Sequence, residues 1–446
     1  MGRRIIDKDS GFRILDNVPK NWKVERLKDL GPLQNGVSKG KEYFGVGSPF
    51  VSYGNVYNDS IELKKIKKLA NSNKSEQKLY SVVEGDIFFT RTSETIDEIG
   101  ISATAAETIP KATFSGFVIR LRPKRNKIRK GFSKYYFQST LNRQLLSKEI
   151  NLVTRASLSQ GILNMTPVLL PPKEEQIQIT SYLDSKTQAI DNKIKLLQKK
   201  NGVYKEYRKA LINETVTKGL DKQVKLKNSG IEWIDEIPDH WKVHRLKDFG
   251  NLSTSSVNKK IEEGEKIVSL VNYTNVYGNP FNQLWNGEKY MRVSAKQNQI
   301  KDKKLIQGDV LFTPSSETAE DIGASAVVME NLPNTLYSYH LLRMRFKKNI
   351  DNNFKRYLFN NENVQYYLSK NAKGTTRKIL GLNDFNNLQV PLPPYQEQIE
   401  ISAFLERKTI AIDKIEGNIR SQIKYLKELR KTLINDVVTG KIKVTE

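Results

Sequence analysis

Over residues 183–211 one set of positions alternates by four and three: Leu183, Thr187, Ile190, Ile194, Leu197, Asn201, Tyr204, Arg208 and Leu211. The same alternation returns at Leu405, Thr409, Ile412, Glu416, Ile419, Ile423, Leu426, Arg430 and Leu433. Such spacing lays a narrow stripe along one side of an α-helix, the heptad signature of a helix that pairs with another. Each stretch opens on Pro-Pro, at 171–172 and 393–394. That pair stops a strand and lets a helix begin. Glu-Gln follows in the first turn, where a carboxylate suits the positive end of the helix dipole. Roughly forty helical residues span about 60 Å, and two such helices in one chain are natural partners for each other. Asn201-Gly202 and Gly417 are expected to kink or loosen the stripe.

Elsewhere the pattern shortens to strands. SPFVSYGNVY, GDIFFT and FSGFVIRLRP, with the later GDVLFT and LLRMRF, are short runs rich in β-branched and aromatic residues. Gly85-Asp86 and Gly308-Asp309 read as tight turns ahead of buried strands. Helices are predicted over 132–149 and 354–371, and 216–230 reads as a polar linker.

The pattern occurs twice as a whole. Trp22 recurs as Trp241, SYGNVY (52–57) as NYTNVY (272–277), and EGDIFFTRTSETIDEIG (84–100) as QGDVLFTPSSETAEDIG (307–323). The spacing between copies drifts only from 219 to 223 residues, so the chain is one unit of about 220 residues duplicated. The predicted fold is α+β: two duplicated globular domains separated by two long helices. The boundaries are 1–170 for the first domain, 171–218 for the central helix, 219–392 for linker and second domain, and 393–446 for the last helix.

Charge changes the picture. Lys+Arg number 74 against Asp+Glu 49, a formal net charge of +25, which points to a polyanion partner and first to nucleic acid. The absence of cysteine excludes disulfides and thiolate metal sites. No apolar run is long enough for a membrane span and no signal-peptide pattern is present, so a cytoplasmic protein is expected.

Catalytic motifs fail on spacing. Gly36 to Glu42 is one residue short of a phosphate-binding loop and ends in Glu. Phe44-Gly45-Val46-Gly47 is out of step with a methyl-donor loop, and Asn279-Pro280-Phe281 and Pro393-Pro394-Tyr395 miss the amine-methylating motif. His240 and His244 have no His or Cys companions and match Asn21 and Glu25 in the other copy, so no metal site is expected.

VPKNWKVERLKD and IPDHWKVHRLKD open the copies. LLPPKEEQIQI and PLPPYQEQIEI lead into the helices, and ALINETVTKG and TLINDVVTGKI end them. With these motifs the whole chain resembles the specificity subunit of Type I restriction–modification systems. The resemblance implies two target-recognition domains whose helices pair as an antiparallel coiled coil, giving pseudo-two-fold symmetry. Each domain would read one half of a split site in double-stranded DNA. Two modification (methyltransferase) subunits and ATP-dependent restriction subunits would be the partners, in a bacterial cytoplasm and on the nucleoid through DNA. This chain would have no catalytic residue and no cofactor of its own; S-adenosylmethionine and ATP with Mg would sit on the partners.

Arg and Lys position a protein on phosphates, while Arg and short polar side chains read base edges. Three loops concentrate them at matching points. The first holds Ser38, Lys39 and Lys41 against Ser255, Lys259 and Lys260. The second follows the Gly-Asp strand: Thr90, Arg91, Thr92 and Ser93 against Thr313, Pro314, Ser315 and Ser316. The third precedes Pro-Pro: Thr154, Arg155 and Ser157 against Thr375, Thr376, Arg377 and Lys378. Tyr53, Asn55, Tyr273 and Asn275 are weaker candidates, since they equally suit packing and turning. Pro314 in place of Arg91 suggests that the domains read different sequences. A scaffold that only tethers partners, and a one-chain methyltransferase or endonuclease, are the competing readings. The first leaves two large basic-looped domains unexplained, and the second lacks its motifs.

Overall fold

The computed structural model describes residues 18–58, 60–93, 95, 98–147 and 156–444. The central helix is Lys173–Lys218 and the C-terminal helix Tyr395–Val438. Both run without a break. Gly202 lies exposed within the first, and Gly417 half-buried within the second. Neither glycine interrupts its helix: a helical glycine costs about 1 kcal/mol, a small sum beside the buried stripe that continues on either side. Every predicted stripe position is buried or half-buried.

By internal contacts the chain divides into two units, each discontinuous in sequence: 1–198 with 420–446, and 199–419. In the first unit, the early part of the central helix lies against the late part of the C-terminal helix. Ile179 and Leu183 share a core with Ile434, Val437 and Val438, and Asp191 meets Arg430 at 3.1 Å. In the second unit, Val216 shares a core with Ile401 and Leu405, and Arg208 meets Asp413 at 3.6 Å. Numbers rise along one helix as they fall along the other, so each unit holds an antiparallel helix pair. The arginines predicted in the stripe are its ion-pairing positions.

Each globular part is built on a five-stranded sheet of one order. In the first unit the strands are Leu33–Asn35, Val118–Leu121, Ile87–Thr90, Ser102–Ala105 and Ser60–Ile61. In the second they are Gly250–Thr254, Leu342–Phe346, Val310–Phe312, Ser325–Val328 and Gln283–Leu284. The predicted Gly-Asp turns are present. Gly85 and Gly308 take φ of 87° and 86°, a conformation open mainly to glycine. Asp86 and Asp309 are buried, close the turn by accepting from Val83 N and Ile306 N, and each receives a two-pronged bond from Arg122 or Arg345 at 2.6–2.8 Å. Removing the arginine would leave a buried carboxylate without its charged partner, which is costly.

A second pairing closes each domain onto its helix. Lys23–Arg26 runs antiparallel to Pro167–Leu170, and Lys242–Arg245 to Gln389–Leu392. This brings the opening tryptophan to the Pro-Pro motif: Trp22 Nε1 donates to Glu175 at 3.0 Å and Trp241 Nε1 to Glu397 at 3.1 Å. The next residue turns back, with Gln176 donating to Pro171 O and Gln398 to Pro393 O. Glu-Gln thus fastens the helix start to the domain, beyond any effect on the dipole. The glycines ending the helices complete the seat. A Cβ on Gly440 would lie 2.5 Å from Pro19 and 3.3 Å from Trp22; one on Gly219 would lie 2.9 Å from Glu397 and 3.2 Å from Trp241. The end of the central helix therefore caps the second domain, and the end of the chain caps the first.

Three local predictions are revised. The helix expected over 132–149 is two, Lys130–Gln138 and Thr140–Ser147, and that over 354–371 is Asn352–Leu358 and Glu362–Asn371. Ser139 Oγ and Asn361 Oδ1 accept from Asn142 N and Val364 N, so a capping side chain starts each second helix. SYGNVY leaves the strand after Val51, because Asn55 Oδ1 accepts from Ser52 N at 2.9 Å and fixes a helical turn; Asn275 does the same for Asn272. The tract 216–230 is no free linker: Leu226–Ile231 pairs with Ile234–Pro238. Among the described residues, no helix is long and apolar enough to cross a membrane.

Candidate nucleic-acid interface

In the first unit, the strands ending at Asn35 and Thr90 flank the strand that begins at Val118. Their ends therefore meet at the turn over residues 115–117. Val37 bridges Ser115, and Gly116 N donates to Val37 O at 2.7 Å, so Ser38, Lys39 and Lys41 depart beside this turn with exposed side chains. Lys39, itself exposed, has Glu76 at 3.7 Å, a loose pair of little strength. On the other side Arg91 N donates to Phe117 O at 2.9 Å, and its guanidinium to Gly116 O at 3.4 Å. Thr92–Ser93 then pairs with Ala156–Ser157, and Leu158 N donates to Arg91 O. Loops that lie far apart in sequence thus form one surface. Thr154 and Arg155 lie outside the described residues.

The second unit repeats this plan. Ser315–Ser316 pairs with Lys378–Ile379, and Leu380 N donates to Pro314 O at 2.8 Å. Lys373 and Ile379 exchange main-chain bonds, closing a hairpin with Thr375, Thr376 and Arg377 exposed at its tip. Gly374 makes the hairpin possible: its φ is 108°, and a Cβ there would sit 2.2 Å from Arg377 O. Arg377 Nε donates to Ser315 Oγ at 3.3 Å. Val257 bridges Ser338 and is capped by Ser255 Oγ, and Lys259 and Lys260 stand exposed beyond it.

Some predicted positions face inward. Thr90 and Thr313 are fully buried and Ser316 nearly so. Thr90 Oγ1 donates to Glu98 O at 2.7 Å, which ties down the loop after Arg91. Thr90 ends a central strand, Thr313 directly follows one, and Ser316 pairs with Lys378, so all three belong to the packing of the sheet and ribbon. Lys378 Nζ donates to Gly374 O at 2.7 Å and holds the hairpin. Among the weaker candidates, Asn55 and Asn275 are turn caps, and Tyr53 and Tyr273 stack near Tyr57 and Tyr277.

The pattern gave no sign of the aromatic residues at this surface. Phe117 is 60% exposed on the central turn, and Tyr339 and His340 occupy the matching turn with ring centroids 3.9 Å apart. Partial burial first, then the charges of Lys259 and Arg377, push the His340 imidazole below its ordinary pKa. The usable signal was a large side chain straight after Ser115-Gly116, where a turn should be polar. Among the described residues no cluster of His, Asp or Glu could hold a metal ion. Asn279-Pro280-Phe281 forms a loop closed by Asn279 Nδ2 on Gln283 O.

The family model for the Type I restriction modification DNA specificity domain matches residues 19–203 and again 238–425. The chain is 27% identical over 436 residues to the MjaVIII specificity subunit of Methanocaldococcus jannaschii, spanning 96% of this chain and 94% of that one. It is 22% identical to the EcoKI specificity subunit of Escherichia coli K12, spanning 95% and 90%. A solved chain from work on complex assembly and conformational transition of the type I R-M system matches with a TM-score of 0.70 at 14% identity, over 96% of this chain and 100% of that one. The HsdS subunit from Thermoanaerobacter tengcongensis gives 0.55 at 15%, over 96% and 98%. At such identities the two solved structures speak for the fold. Matched twice by one domain along most of its length, the chain belongs to the Type I restriction modification DNA specificity family.

Proposed function

We propose that this chain is the sequence-reading subunit of a Type I restriction–modification complex and performs no reaction itself. Each unit reads one half of a bipartite DNA site. The observation that carries this reading is the gathering of sequence-distant basic and polar loops at one end of the sheet, at the same place in both units. Phosphates would be met by the exposed Lys39, Lys41, Lys259 and Lys260, and base edges by side chains of the turn and ribbon. Two methyltransferase subunits and the restriction subunits would dock on the framework that the units share, since a partner present twice needs one surface presented twice. S-adenosylmethionine and ATP with Mg belong, on this reading, to those partners.

The test is to reconstitute the chain with its methyltransferase and map the methylated bases. Replacing residues 1–168 by the first domain of another family member should change one half-site only, and the binding constant should fall steeply with salt. Simultaneous change of both half-sites, or binding indifferent to salt, would overturn the reading.

A further inference from the structure

We propose that Phe117 reads a thymine in the half-site of the first unit, by packing its ring on the C5-methyl group in the major groove. The inference rests on the DNA-recognition reading above and extends it to one side chain and one chemical group.

Phe117 is 60% exposed, while Val118 beside it is wholly buried in the sheet. Among the described residues, the ring belongs to no core cluster. The turn that carries it is held by four hydrogen bonds. Gly116 N donates to Val37 O at 2.7 Å, Val118 N to Ser115 O at 2.9 Å, Phe117 N to Ser115 Oγ at 3.3 Å, and Arg91 N to Phe117 O at 2.9 Å. A ring mounted this firmly loses little freedom when it meets a partner. A Cβ on Gly116 would lie 2.2 Å from Ser38 Oγ and 3.0 Å from Val37 O, so a larger residue there would crowd the start of the basic loop.

The surroundings define the partner. Ser38, Lys39 and Arg91 supply hydrogen bonds and positive charge on both sides of the ring. An apolar group centred among them suits a surface that is polar except at one point. In B-form DNA the thymine C5-methyl is the apolar group that the major groove displays, and phenylalanine is among the side chains that meet it. The second unit sharpens the assignment. Val51 and Phe114 pair in parallel as Val271 and Tyr337 do, which aligns Phe117 with His340. Imidazole offers a donor and an acceptor where phenyl offers neither. The two domains thus present opposite chemistry at one position, as expected of readers of different sequences.

The experiment uses the full chain and duplexes carrying the mapped bipartite site, with each thymine of the first half-site replaced in turn by deoxyuridine, which lacks only the methyl. One replacement should weaken wild-type binding about threefold to tenfold. Phe117→Ala should bind the unmodified duplex more weakly by a similar factor and be indifferent to that replacement. Phe117→Leu, which keeps an apolar tip, should recover part of the sensitivity. Replacements in the second half-site should affect all three proteins alike. A first half-site without an A·T pair, or deoxyuridine sensitivity unchanged in Phe117→Ala, would overturn the assignment and leave DNA recognition standing. Failure of the wild-type chain to bind the mapped duplex at all would overturn the recognition reading beneath it.

Discussion

Asp86 meets Arg122 in the first unit just as Asp309 meets Arg345 in the second, and Trp22 meets Glu175 just as Trp241 meets Glu397. Yet five residues from an Asp–Arg partner, Arg91 in the first unit corresponds to Pro314 in the second, and Phe117 to His340. The two units hold the same framework and different loops. Each framework side chain is buried or half-buried against a specific partner, so changing one strands the other. The loop side chains have solvent on one side, and their internal contacts leave that side open to an external partner. Where the copies agree, the fold is being satisfied; where they part, a binding surface is free to differ.

The most forceful way to break this comparison is to end the chain after Ile419. The second unit would keep all its residues, while the first would lose Ile434, Val437 and Val438 from its core and Gly440 from beside Trp22. Three buried aliphatic side chains at about 1.5–3 kcal/mol each approach the whole stability of a domain. Hydrogen exchange resolved by peptide should show residues 18–147 unprotected and 226–392 protected. Normal protection of the first domain would mean that it does not depend on the chain's end.

The loops call for a finer test. Arg377→Ala should weaken DNA binding by about 2 kcal/mol, acting through the second half-site alone. Arg91→Ala should act through the first, and its effect should overlap with that of Phe117→Ala, because Arg91 braces the turn that carries Phe117. Titrations against duplexes scrambled in one half-site would resolve the two. Equal losses whichever half is scrambled would undo the division of reading between units.

These contrasts were unevenly visible in the sequence. The long helices were legible because their seven-residue period outlasts Gly202 and Gly417. The duplication was legible because the framework motifs repeat. The function of those motifs was not, since Trp22 and Glu175 lie 153 residues apart and only the strand pair 23–26 with 167–170 brings them together. The three basic loops could be found singly from Ser, Lys and Arg, but their meeting depends on strand order. The burial of Thr90 and Thr313 was not legible, because a threonine at the end of a strand has the same letter whether its hydroxyl faces water or a carbonyl. Phe117 was read as part of a strand, which begins only at Val118 beside it.

The smallest expected effect comes from a place where the framework itself diverges. The Phe132 and Tyr135 helix carries Ser133, whose hydroxyl donates to Lys130 O; its counterpart between Phe354 and Tyr357 is Lys355. Lys355 is 3% exposed, and its amine donates to Gly308 O at 3.0 Å and Asn352 Oδ1 at 2.9 Å. Burial pushes this amine down to about 8 from its ordinary 10.5, although Asp309 and Asp351 pull it upward. Below pH 8 both folded and unfolded chains hold the proton, and the cost of burying the charge is fully present. As pH rises through the folded value, the folded chain releases its proton while the unfolded chain keeps it, so stability increases until the unfolded amine also titrates. Between pH 8 and 9 the gain is about 1 kcal/mol. Lys355→Met has no such proton to release. Urea unfolding of both proteins at pH 8 and 9 should therefore show the wild type gaining on the variant by that amount. Parallel profiles would mean that the carbonyl of Gly308 and the amide of Asn352 offset the burial and keep Lys355 charged, and the second unit would then tolerate a lysine where the first has serine at no cost that pH can reveal.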